Sequence, residues 1–216
     1  SLNRNRIKRS DVKSVYFFEP PIFKEAVELY ESRDYRGARE KFAACKEAFD
    51  KLDNLKGNYG TLAGFYELET CRKMFDLESL KKLLDVYQFG TLAREHQRNQ
   101  LEVYAVWDAV RTKSWSRLDA LAVEVLEKKK WVGEHVAQIK YCHGLALEGL
   151  GRDTDALIAF NGAFTADYTA SEELTQAATL ACLRIIKANE EVKLAIQLWG
   201  TEDEDPNSPG YFLLQE

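Results

Sequence analysis

The residues of this 216-residue chain best suited to nucleophilic, acid–base or metal chemistry are four cysteines and three histidines, and two of them, Cys142 and His143, are adjacent. An imidazole activates a thiol only when the two side chains come within hydrogen-bond reach. Neighbouring residues on a helix point about 100° apart, so adjacency in a helical stretch keeps this pair from meeting. The other two histidines are His96 and His135. Cys45, Cys71, Cys142 and Cys182 are widely separated, with neither a CxxC pair nor a Cys/His spacing that holds zinc, so neither a metal site nor a cofactor is expected. Each cysteine sits in an apolar stretch and reads as a small buried thiol. The motifs GxxxxGK[ST], GxSxG and HExxH, and a GxGxxG after a strand, are all missing. Glutamate pairs such as Glu67/Glu69 and Glu172/Glu173 read as solvated helix faces. No acid–base pair stands out, and the expectation is a protein that is not an enzyme.

The elements that would position any site are helices. Hydrophobic residues make up 45% of the chain and charged residues 30%, with 4 Pro and 12 Gly, which suits a folded helical chain. A net charge of −5 argues against general nucleic-acid binding, which needs a concentrated basic surface. No apolar run approaches the roughly 18 residues of a membrane helix, so membrane insertion of this segment is not expected either. No secretory signal is visible, and reduced thiols favour a cytoplasmic setting. Because the chain begins at Ser1, a leader or anchor removed from upstream is left open.

Apolar and small residues recur three and four apart from Phe23 to Trp199, the spacing of one helix face, and no stretch alternates for long as a strand does. Breaks fall at residues 32–34, 54–58, 75–76, 113–114, 151–153, 165–171 and 189. Asp76, Ser114 and Asp153 read as helix starts, and Thr169 to Glu172 as a capping box. "DYRGAREKFAAC" places Ala38, Phe42 and Cys45 at steps of four and three, and "RDTDALIAFNGA" places Ala156, Phe160 and Ala163 at the same steps. Weaker copies run through Leu80, Leu84 and Tyr87 and through Leu118, Ala122 and Val125, with a terminal copy near Ala195 and Trp199. A period near 40 residues with two helices per unit predicts an all-α solenoid, since a lone hairpin cannot bury its own apolar face.

These residues resemble the tetratricopeptide repeat family. Gly144, Leu147, the turn "GLGRD", Ala156, Phe160 and Ala163 follow that family's pattern, as do Ala26, Leu29, Tyr35, Ala38, Phe42 and Cys45. Small residues let paired helices approach, and an aromatic fills the hollow between units. The units here exceed the family's roughly 34 residues and lack its helix-ending proline. The resemblance implies a right-handed α-solenoid of about five antiparallel hairpins over residues 19–200, between a basic arm (1–18) and an acidic tail (201–216). It also implies a concave face lined by first helices: Val27 and Tyr30; Phe65, Glu69, Arg72 and Lys73; Trp107, Val110 and Arg111; Tyr141, Leu145 and Glu148; and Arg184 and Lys187. The asparagines of the carboxylate-clamp subclass are absent from the matching positions, which hold Val27, Glu69, Trp107 and Leu145. The expected role is a non-enzymatic scaffold gripping a peptide or protein segment, with acidic groups met by Arg72, Lys73, Arg111, Arg184 and Lys187. The alternatives are a regulatory subunit or enzyme with a site between hairpins, or a structural homo-oligomeriser. The arm carries Arg4, Arg6, Lys8, Arg9 and Lys13. In the tail, Glu202 to Asp205 precede the apolar run Tyr211 to Leu214, a composition expected to fold back on the array or join two copies.

Overall fold

The computed structural model of the protein describes residues 8, 11–13, 15–128, 130, 131, 133–166 and 171–189. Arg4, Arg6 and Arg9 of the arm, Thr169 of the capping box, the Ala195/Trp199 copy and the tail lie outside the described residues. Among the described residues every regular element is helical: α1 (Pro21–Glu31), α2 (Tyr35–Phe49), α3 (Tyr59–Lys73), α4 (Leu77–Val86), α5 (Glu95–Arg111), α6 (Trp115–Glu127), α7 (Glu134–Gly149), α8 (Asp153–Ala166) and α9 (Glu172–Ala188). A 3₁₀ turn, Asp50–Leu52, follows α2. No described helix is long and apolar enough to cross a membrane.

One turn is built four times. Arg33, Phe75, Lys113 and Gly151 all have positive φ, between 52° and 73°, and each closes the first helix of a hairpin. At each, the next residue's N–H reaches back five positions, Asp34 to Leu29, Asp76 to Cys71, Ser114 to Ala109 and Arg152 to Leu147, at 2.9–3.1 Å. The left-handed residue itself donates three positions back, as in Phe75 to Arg72. This double closure satisfies the last carbonyls of a helix and admits the next helix after three residues. Only the fourth copy uses the residue that adopts the left-handed region without steric cost.

Helix starts follow. The Asp34 carboxylate accepts from the Gly37 N–H, Asp76 from Ser79 and Asn58 from Thr61, each serving as N-cap. Two starts differ from the sequence expectation. Ser114 is the N-cap of α6, but its hydroxyl bonds to that of Thr112 instead of an orphan amide. Asp153 is already the first helical residue of α8, because the turn ends one position earlier, at Arg152. The breaks at 87–94 and 128–133 carry no signal read from the sequence. The first is tied down by Thr91, whose hydroxyl donates to the Asp53 carbonyl at 2.7 Å and whose own carbonyl accepts from Gly57 N–H.

The chain divides into two compact units, Ser1–Arg98 and Asn99–Glu216. In the first, α1, α2 and α3 pack in order, with α4 against α3. Ala26, Ala38, Phe42, Cys45 and Ala63 are fully buried there, and the Phe42 ring stacks on Tyr66 at 5.2 Å. In the second, α6, α7, α8 and α9 pack in order. Gly144 is what lets α7 and α8 close: a Cβ there would stand 2.6 Å from the Phe160 ring. Cys45, Cys71 and Cys142 are buried as expected, whereas Cys182 is half-buried. Burial pushes the Cys45 and Cys71 thiols up to about 11 and about 12, far from the thiolate form at neutral pH.

Candidate functional site

The first-helix residues expected to grip a ligand already hold one another. In unit 1, Arg72 is 2% exposed and forks onto the Glu69 carboxylate, with Nη2 at 2.7 Å and Nε at 3.1 Å. The Lys73 ammonium lies 5.7 Å and 5.8 Å from the ring centres of Tyr30 and Tyr35. Phe65, Glu69 and Lys73 are buried, and Tyr30 is half-buried. Glu67 and Glu69, read from the sequence as solvated, are both enclosed. The correction has a physical cause: α3 is covered by α2 on one side and α4 on another, leaving neither residue a solvated face.

In unit 2, Trp107 is buried and donates its indole N–H to the Gln138 amide oxygen at 2.9 Å. Gln138 and Gln100 bond reciprocally at 2.8 and 2.9 Å, so a fully buried amide pair is satisfied from both sides. Trp107, Tyr141 and Phe160 follow one another at ring separations of 5.9 and 5.7 Å. Arg111 bonds Asp108 at 2.8 Å. Arg184 is exposed and forks onto Glu148 at 2.7 and 2.8 Å. Lys187 is exposed and forms no ion pair among the described residues. Spacing placed Glu69 and Glu148 on these faces beside the cations but did not reveal the pairing of Arg72 with Glu69 and of Arg184 with Glu148, and it missed Asp108. An incoming carboxylate must displace Glu148 to use both prongs of Arg184.

A different arrangement recurs on the side where one hairpin's second helix meets the next hairpin. In unit 1, Arg39 of α2 donates to Asp76 at 3.0 Å, and its Nε lies 3.9 Å from Glu67 of α3. In unit 2, Asp119 of α6 accepts from Arg152 at 3.2 Å and lies 2.7 Å from His143 Nε2 of α7. The positions correspond. Arg39 and Asp119 each sit six residues after a left-handed turn residue, Arg33 and Lys113; Glu67 and His143 sit eight before the next, Phe75 and Gly151; Asp76 and Arg152 directly follow it. One joint is therefore built twice with its acidic and basic positions exchanged: a cation between two acids in unit 1, an acid between two basic side chains in unit 2.

Each joint borders an open crevice. That of unit 1 encloses about 520 Å³ and is lined by Arg36, Arg39, Glu40, Ala43, Glu67, Met74 and Asp76. Glu67 is buried there and accepts from the Tyr87 hydroxyl at 2.7 Å. Desolvation holds its carboxyl above the ordinary range, opposed by the Tyr87 hydrogen bond and the Arg39 charge. Desolvation and the same hydrogen bond push the Tyr87 phenol up. The crevice of unit 2 encloses about 330 Å³ and is lined by Leu126, Lys140, His143, Leu147, Arg152, Asp155, Ile158 and Ala159. His143 thus faces Asp119, while the neighbouring Cys142 thiol is buried, so no thiol–imidazole dyad forms. Among the described residues no group of three or more His, Cys, Asp or Glu could hold a metal ion. Comparison with protein-family models, with curated proteins and with solved structures finds no match.

Proposed function

We propose that the chain is a TPR-like repeat, a right-handed α-solenoid of about five hairpins, that works as a non-enzymatic scaffold for a peptide or protein segment. The observation that carries this reading is the fourfold turn at Arg33, Phe75, Lys113 and Gly151, spaced 42, 38 and 38 residues apart, which gives successive hairpins one register. A joint repeated in register multiplies similar surfaces along a chain, which suits gripping an extended partner better than assembling a single reaction centre. The inner faces favour a segment with acidic groups: Arg184 and Lys187 are exposed cations of unit 2, and Tyr30 in unit 1 and Arg111 in unit 2 are half-buried. Because the resident acids Glu69, Asp108 and Glu148 already occupy the guanidinium groups, binding here is competitive, of moderate affinity and salt-sensitive.

The test is an array of immobilised acidic, aromatic-containing peptides, probed with the intact chain and with the variant Arg184→Glu/Lys187→Glu. The reading expects retention of a subset of sequences above scrambled controls, weakened by salt and reduced about tenfold in the reversed variant, the equivalent of one good charge-assisted contact. Retention no better than the scrambled controls, or equal retention by the variant, overturns it.

A further inference from the structure

The crevice of unit 2 differs from its counterpart in more than the sign of its joint. Four of its lining residues, Leu126, Leu147, Ile158 and Ala159, are apolar, and Ile158 is 68% exposed. A large aliphatic residue this open, beside others in a concave surface, marks a place where apolar matter docks. Lys140 lines the same crevice and forms no ion pair among the described residues. Asp119 and Asp155 are already held, by His143 and Arg152 and by Arg152 respectively, so Lys140 is the charge left uncompensated. Two more exposed cations, Lys128 and Lys130, follow shortly after Leu126; their acid partners, Glu124 and Glu102, are exposed, and the Lys130 ammonium also lies 4.6 Å from the Trp131 ring centre. The unit 1 crevice is the opposite case, with three carboxylates, Glu40, Glu67 and Asp76, against two guanidinium groups.

We propose that the unit 2 crevice is occupied by the C-terminal segment of this same chain, with Glu202 to Asp205 at the Lys140 end and Tyr211 to Leu214 on the apolar wall. The chemistry matches on both counts. The segment carries four consecutive acids, then "PNSPG", then Tyr-Phe-Leu-Leu, so turn-forming residues separate a charged block from an apolar one. The tether also fits. Helix α9 packs against α8, which supplies Arg152, Asp155, Ile158 and Ala159 to the crevice. From Asn189 to Glu202 an extended chain spans about 40 Å, while α8 is about 21 Å long. A segment held this close reaches effective concentrations of order millimolar, so weak contacts suffice. Glu40, Glu67 and Asp76 make the equivalent crevice of unit 1 repel the same acids. This goes beyond the scaffold reading, since it concerns another face and needs no outside partner. A ligand for the unit 2 crevice would have to displace the segment.

The test is a disulfide trap in the full-length chain with Cys182→Ser. Ile158→Cys/Phe212→Cys is compared with Val86→Cys/Phe212→Cys, because Val86 is equally open, at 71%, but lies on α4. Both sites are exposed, so the substitutions leave the core intact. Under mild oxidation the proposal expects the 158–212 bond within single chains, forming on the order of tenfold faster than the 86–212 bond, and slowed several-fold by high salt or by Lys140→Glu. Equal rates for the two pairs, no bond at 158–212, or a bond that links two chains overturns it.

Discussion

The joints of the two units solve the same problem with acidic and basic groups exchanged. Where a second helix meets the next hairpin, unit 1 sets Arg39 between Glu67 and Asp76, and unit 2 sets Asp119 between His143 and Arg152. What the fold requires at this position is a complementary trio, not a particular sign. The sign is left to set the character of the neighbouring crevice, acid-rich beside Arg39 and apolar with a spare cation beside Asp119. The packing beneath also differs. At the position that follows the trio's first-helix residue, Glu67 or His143, unit 1 has Leu68, fully buried, and unit 2 has Gly144, against which Phe160 rests.

The packing difference gives the largest effect. Leu68→Gly removes a buried side chain and adds helix-breaking entropy, so a loss of about 3–5 kcal/mol is expected in chemical denaturation. The reciprocal Gly144→Ala drives a methyl into the Phe160 ring at 2.6–2.9 Å and costs about 1–3 kcal/mol. A neutral result for either would mean that the two units are interchangeable after all.

Reversing the centre of each trio comes next. Arg39→Asp places three acids together and Asp119→Arg three basic groups. Both centres are about a third exposed or less, so each reversal should cost about 1 kcal/mol after screening. Melting at low and high salt would show the loss shrinking with salt in both cases. Loss in one unit only would break the correspondence.

Glu67 makes unit 1 sensitive to pH. Its folded pKa lies above its unfolded value, so the folded state holds the proton more tightly there. The resulting stability is fully present below the unfolded carboxylate pKa and is lost as pH rises through the folded one. Glu67→Gln, which still accepts from Tyr87, should therefore match or exceed the wild-type unfolding free energy at neutral pH, by up to about 1 kcal/mol, and lose that margin in acid. A variant less stable than wild type at pH 7 would mean that the ionised form and Arg39 dominate.

The smallest effect is expected at the turns. Lys113→Gly relieves a left-handed φ of 52° and should stabilise unit 2 by about 0.5–1 kcal/mol, as Gly151 already does one hairpin later. Destabilisation would show that the Lys113 side chain contributes more than its backbone strain costs.

Much of this fold was legible in the sequence because periodicity reports local burial. Ala38, Phe42, Cys45, Ala156, Phe160 and Ala163, picked out by their steps of four and three, are all buried. The joints were not legible, because they pair residues far apart: Arg39 with Asp76 across 37 positions, and His143 with Asp119 across 24. The inner faces show the same limit, since spacing places both Arg184 and Glu148 on them but cannot reveal that the two, 36 positions apart, close on each other. Glu67 and Glu69 were misread because a helix covered on several sides has no solvated stripe to betray its charges. Gly90 and Thr91 gave too little turn signal to mark the break between α4 and α5.

The joint that recurs in the register of the four turns is the central claim about the repeat, and a transplant tests it most directly. Arg39, Glu67 and Asp76 are replaced by Asp, His and Arg, singly and together, and unfolding free energies are compared. Asp76 also caps α4, so some loss is expected in every variant that lacks it. The account predicts a triple variant more stable than the sum of its three single changes requires, because the exchanged trio re-forms the unit 2 arrangement in the unit 1 frame. Simple additivity, or a triple variant worse than the sum, would contradict it.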